Sequence, residues 1–152
     1  AGYEQYEISA FARPGLQSRH NMNYWRYGDF LAIGAGAHGK VTSPVDGSIS
    51  RYAKQRHPKR YLACVESGDW LAEKRQLDNE ERIFEFFLNQ LRLREGVYRG
   101  DFSARTGIPW ETAEPRVRKA IEKGLLEWAG SRLRPTELGW RFVNETQQIF
   151  LP

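Results

Sequence analysis

The sequence predicts an α/β fold in two parts: a strand-and-loop stretch followed by a mainly helical, winged-helix-like domain. Three observations carry this. Residues 1 to about 55 are rich in glycine, aromatic and β-forming residues and show no helical period. From about residue 57 onward, apolar residues recur at helical spacing between capping signals. Residues 101–150 then run helix, helix, hairpin, helix.

Residues 5–11, QYEISAF, alternate Tyr6, Ile8 and Ala10 against Glu7 and Ser9, which predicts one strand. Residues 12–18 follow as a loop with Pro14-Gly15 at its turn. Residues 29–39, DFLAIGAGAHG, predict a second apolar strand that breaks into a glycine-rich bend. Residues 43–48 predict a hairpin turn with Asp46-Gly47 at its tip, and 49–53 the returning strand. Residues 57–68 predict a helix, with Pro58 in its first turn and Gly68 as its C-terminal cap. Residues 78–93 predict the strongest helix: Asp78 and Glu81 resemble a capping box, and Ile83, Phe84, Phe87, Leu88 and Leu91 share one face. Residues 101–107 predict a short helix closed by Gly107. Residues 109–124 predict a second, ended by Gly124 and made regular only from about Ala113 or Glu114 by Pro115. Residues 125–135 predict two strands about Ala129-Gly130-Ser131, and 136–150 one final helix with Thr136 as N-cap.

Composition narrows the function. The chain has 152 residues, enough for one ordinary domain or two small ones, and 40% apolar with 28% charged residues is a globular balance. A net charge of +4 tolerates an anionic partner without demanding nucleic acid. No run approaches the ~18 apolar residues of a membrane span, which leaves a peripheral membrane contact as the most a membrane could have. Cys64 is the single cysteine, so this chain alone makes no disulfide and no cysteine-ligated metal centre, and the expected compartment is the cytoplasm. The chain opens at Ala1 directly into a strand pattern, which predicts a segment of a longer protein.

YEISAFARPG (6–15), RHNMNYW (19–25), GDFLAIGAGAHG (28–39) and RHPKRYL (56–62), in this order and spacing, resemble the oxygen-independent coproporphyrinogen III oxidase-like radical-SAM family, nearest its HemW-like haem-chaperone branch. EFFLNQLRLREGV and the stretch from RTG to LRPTELGWRFVN resemble the family's C-terminal domain, so the likeness covers nearly the whole chain. The resemblance implies a parent with a partial (β/α) barrel and a [4Fe-4S] cluster that binds S-adenosylmethionine, held by cysteines spaced CxxxCxxC. That motif is absent here. On this reading 1–55 are terminal strands and loops of the barrel, 56–77 a helix and linker, and 78–152 the C-terminal domain. The chain by itself would be catalytically inert.

The resemblance further implies haem or porphyrin contacts at His20, Asn21, Tyr24 and Trp25, with His20 as an axial metal ligand. The aromatic pair would lie against the macrocycle. The bland alternative is that Tyr24 and Trp25 pin a loop while His20 makes an ordinary hydrogen bond. The run AIGAGAHG (32–39) allows close backbone approach, so Gly34, Gly36 and His38 are candidates to line a cofactor, against a mere tight bend. Arg13, Arg19, Arg26 and Arg51 could pair with propionates, or form a solvated basic surface. His57 reads as a helix-start residue and Cys64 as a buried small side chain.

Three functions follow as expectations: a haem chaperone that delivers haem to an acceptor protein; a coproporphyrinogen III oxidase of porphyrin biosynthesis; or a nucleic-acid-binding winged helix. Arg116, Arg118, Lys119 and Lys123 speak for the last. Glu111, Glu114, Glu122 and Glu127 beside them speak against it, so no DNA partner is expected.

Overall fold

The computed structural model describes residues 1–152, the side chains of Val65 and Glu66 excepted. In chain order the elements are β1 (Glu4–Glu7), β2 (Ala10–Ala12), α1 (Arg19–Trp25), β3 (His38–Thr42), β4 (Ile49–Lys54), α2 (Pro58–Ser67), β5 (Leu71–Gln76), α3 (Asn79–Gln90), β6 (Val97–Tyr98), α4 (Arg99–Thr106), α5 (Trp110–Glu122), β7 (Leu126–Ala129), β8 (Arg132–Pro135), α6 (Glu137–Arg141) and α7 (Val143–Gln148). The fold is mixed α/β, and every strand pair among the described residues is antiparallel. The chain divides into two units, 1–27 with 79–152 and 28–78, which cut it differently from the expected segments 1–55, 56–77 and 78–152.

In the first unit, the expected single strand over 5–11 is a hairpin, β1 against β2. Its turn at Ile8-Ser9 carries no Gly, Pro or Asn. Side chains supply what the turn residues lack: the Glu7 carboxylate accepts the Ser9 amide at 2.9 Å, and the Gln5 amide donates to the Ile8 carbonyl at 3.0 Å. The Ile8 amide then donates to the Arg92 carbonyl, tying the turn to the chain beyond α3.

Residues 79–150 give a helix, a strand, two helices, two strands and two short helices, with the sheet ordered β6-β8-β7. α3 begins one residue after Asp78 with Glu80 and Glu81 in its first turn, where acidic charge suits the helix dipole. Ile83 and Phe87 are buried in it and Leu91 just beyond it, as expected, and Phe86 and Gln90 join them. Phe84 is half-buried and Leu88 is exposed, because Phe86 turns inward to meet Tyr27 and Phe102 edge-on. Phe87 stacks on Phe150 with centroids 3.9 Å apart, so the chain's end closes this core. Gly107 caps α4 in the left-handed region as expected. α5 starts at Trp110, earlier than Pro115 suggests. Burial of Trp110, Ala113, Val117 and Ala120 along one face outweighs the lost backbone bond. The final helix is two, α6 and α7, broken at Phe142 (φ −114°, ψ 48°), while Thr136 caps α6 by accepting the Gly139 amide.

In the second unit, β3, β4 and β5 form a meander. The hairpin at Asp46-Gly47 stands as expected, with Asp46 accepting the Ser48 amide. The expected strand over 29–39 reduces to one bridge, Phe30 against Lys40, and β3 starts only at His38. α2 has Pro58 and Gly68 where expected. β5 was expected as linker. It pairs with β4 although all six of its residues are exposed, so backbone bonding rather than burial defines it.

Candidate functional site

The stretch RHNMNYW is a helix, α1, not an irregular loop. Ser18 caps it by accepting the Asn21 amide at 3.3 Å. Helical spacing gathers His20, Asn21, Tyr24 and Trp25 along adjoining rows of one surface, since residues four apart are neighbours. The His20 and Tyr24 rings meet edge-to-face, centroids 4.8 Å apart, and the His20 side chain is exposed. Asn21 and Tyr24 are half-buried.

Trp25 has a different role. The Arg92 guanidinium lies 4.4 Å from its ring centroid, and Arg92 donates to Ser9 Oγ at 3.2 Å and pairs with Glu7 at 3.4 Å. Glu7 is buried, so this chain of contacts anchors α1 to the β1–β2 turn. The Trp25 indole Nε1 is buried and meets no acceptor among the described residues, which leaves its ring face as the working surface. Directly after α1, Tyr27 sits at φ 57°, unusual for a side chain of its size. It is buried against Phe86 and its hydroxyl donates to Glu85 Oε2 at 3.3 Å, so it fixes the far end of the helix. Neither Arg92 nor Tyr27 was singled out in the sequence. Their signal is tertiary: Arg92 is one of two arginines in LRLRE, and nothing local marks it as the partner of an indole far upstream.

Gly34, Gly36 and His38 lie in the other unit. In that run the Gly36 amide donates to the Gln55 carbonyl, the Ala37 amide to Gly34, and the Ala32 amide to the Tyr52 hydroxyl at 2.9 Å. Those amides are therefore used within the chain. His38 is exposed at the start of β3, opposite Ala53. Of the candidate propionate partners, Arg26 is held by Glu95 at 2.8 Å, Arg51 lies over Phe30, Arg13 lies over Tyr3, and Arg19 is exposed at the start of α1. His57 precedes α2 as its N-cap, without a side-chain cap bond, and Cys64 is half-buried within that helix.

The donor set does not fit an iron–sulfur cluster. Such a cluster takes several thiolates, Cys64 is the one cysteine, and no three metal-binding side chains come together among the described residues. On α5, Arg116 pairs with Glu80, while Arg118, Lys119 and Lys123 are exposed beside Glu111 and Glu122. No described helix is long and apolar enough to cross a membrane.

Residues 77–142 match the family described as the HemN C-terminal domain. Over 151 residues, 99% of this chain, it is 44% identical to the "Heme chaperone HemW" of Escherichia coli (strain K12), of which it covers 39%. The protein of the same name from Haemophilus influenzae is 43% identical, with 99% of this chain and 38% of that protein covered. The Bacillus subtilis (strain 168) protein of that name is 32% identical, with 99% and 38% covered. The chain thus spans about two fifths of the length of the curated relatives it matches. A solved structure, "Coproporphyrinogen III oxidase (HemN) from Escherichia coli is a Radical SAM enzyme", matches with a TM-score of 0.63 at 15% identity, covering 98% of this chain and 37% of that one. That likeness is one of fold.

Proposed function

The chain belongs to the HemW-like family and corresponds to the C-terminal part of its members, and from that premise we propose that α1 forms part of the haem-contact surface of a haem chaperone. The observation that carries the reading is the exposed His20 imidazole, set edge-on to Tyr24, on a helix anchored behind by Trp25, Arg92 and Tyr27. A neutral imidazole free to turn toward solvent suits an axial ligand of haem iron. A firmly held helix keeps it in place without spending binding energy on ordering a loop. Haem would be the cargo: it would bind, then pass to an acceptor protein.

The relatives' names favour the chaperone over the oxidase, whose resemblance is to a distant structure and concerns the fold. Any radical chemistry belongs to a longer protein, because the cluster does not fit these residues. Gly34, Gly36 and His38 remain proposed cofactor-lining positions for such a protein.

The test is an absorbance titration of haem into this chain beside His20→Ala. A saturable Soret shift in the wild type, weakened about tenfold or more in the variant, supports His20 as ligand. No shift, or equal shifts in both, sinks the reading and leaves α1 as a structural anchor.

A further inference from the structure

In the first unit a cleft of about 500 Å³ is lined by Tyr98, Arg99 and Gly100, where β6 runs into α4, and by Trp128, Gly130 and Ser131 of the β7–β8 hairpin. Its size falls within the ~300–1,000 Å³ of small-molecule sites. No carboxylate lines it. Two large rings in its wall keep open surface, Tyr98 at 39% and Trp128 at 36% exposure. Gly100 and Gly130 add bare backbone, since a Cβ built on either would meet nothing within 4 Å.

The cation in this wall is held in place yet unused. The Arg99 guanidinium lies 4.7 Å from the Trp128 ring centroid and 5.7 Å from that of Trp110, and it makes no ion pair among the described residues. A guanidinium stacked by its face keeps its in-plane N–H donors free for an anion. Next to it stands a second unused donor. Trp110 is 5% exposed, and its indole Nε1 is buried with no acceptor among the described residues. The Trp110 and Trp128 rings meet with centroids 5.9 Å apart, so two of the groups packed on this indole, Trp128 and Arg99, are themselves walls of the cleft. A buried N–H without a partner is a standing cost that an acceptor removes. Arg99 is exposed and unpaired, which makes it the part of the cover that can give way.

We propose that this cleft binds a planar aromatic anion. The ring lies against Tyr98 and Trp128, and the anionic oxygens accept from Arg99 and, as Arg99 shifts, from Trp110 Nε1. Stacking selects a flat π surface and the guanidinium selects the charged arm. That chemistry arrives either as the base and phosphate of a nucleotide or as the macrocycle and propionate of a porphyrin. The site shares no residue with the His20 surface and does not depend on the haem reading.

AMP and iron-free protoporphyrin IX are each titrated into the whole chain, beside adenosine and protoporphyrin dimethyl ester, which lack the anion. The titrations are repeated on Arg99→Gln and Tyr98→Leu. Both side chains are exposed, so both variants keep the core. Indole N–H resonances are followed in proton–nitrogen correlation spectra. The expected result is saturable binding of one probe, weakened about tenfold or more by Arg99→Gln and by loss of its anion, and several-fold by Tyr98→Leu. The Trp110 indole resonance moves as the site fills. The probe that binds names the source, nucleotide or porphyrin. Without iron there is nothing for His20 to ligate, so His20→Ala leaves the result unchanged and failure of the haem reading does not carry over. Binding of neither probe, binding indifferent to Arg99→Gln, or binding that leaves the Trp110 resonance in place overturns the proposal.

Discussion

Gly39 has no room for a side chain. A Cβ built on it would stand 2.2 Å from Cζ of Tyr52, the residue opposite it on β4. The Tyr52 ring lies across this glycine, and its hydroxyl accepts the Ala32 amide. One missing methyl thus lets an aromatic ring tie β4 to the irregular run before β3. Alanine at position 39 must displace the ring and break that hydrogen bond. Gly39→Ala should destabilise the second unit by ~1–3 kcal/mol, as overpacking does. Urea unfolding would read it as a lower midpoint at unchanged slope, and a midpoint equal to wild type would contradict the packing argument. The glycine run invites a ligand-cradle reading, but at this position the occupant is the chain's own tyrosine.

At the scale of elements, α1 is too short to stand alone. Seven residues with no acidic residue in the first turn fall well below the length at which a helix persists in water. Its stability comes from the Ser18 cap, the Trp25–Arg92 stack and Tyr27. Ser18→Ala should cost ~1 kcal/mol, the usual loss for a removed cap. It should also speed amide exchange in 19–25 while leaving α5 unaffected; unchanged exchange would mean that tertiary anchoring alone holds the helix. The same balance explains what was legible beforehand. Gly68, Gly107, Thr136 and the Asp46-Gly47 turn act through their own backbone, so they could be read locally. The β1–β2 turn, α1 and β5 could not. Each depends on a partner distant in sequence: Arg92 for the first two, β4 for the third. RHNMNYW stood out as a family-like stretch, yet its asparagines and aromatics are indifferent helix formers, and only the cap and the stacked tryptophan make it helical.

For the molecule as a whole, the two units should respond differently to acid. Lys40 is buried, its side chain 2% exposed, and Asp29 Oδ1 meets its ammonium at 2.9 Å. Burial alone would raise the Asp29 pKa. Hydrogen bonds from Lys40 and from the Thr42 amide and hydroxyl outweigh it, and the carboxyl sits below its usual 3.8. Asp46, bonded to Ser43 and Ser48, is lowered to about 2. Both carboxylates lie in 28–78. A carboxyl whose folded pKa is depressed contributes stability above its unfolded pKa and loses it as pH falls through the folded value. The second unit should therefore hold full stability above about pH 4 and lose part of it between there and pH 2. Amide exchange at pH 5 and pH 3, corrected for intrinsic rates, should show protection falling more in β3 and β4 than in α3. Asp29→Asn should lower stability at pH 7 by ~1–3 kcal/mol, because a buried ammonium loses its charged partner, and should flatten the acid dependence of β3 and β4. If that dependence survives Asp29→Asn undiminished, the Lys40–Asp29 pair is not what couples this unit to pH.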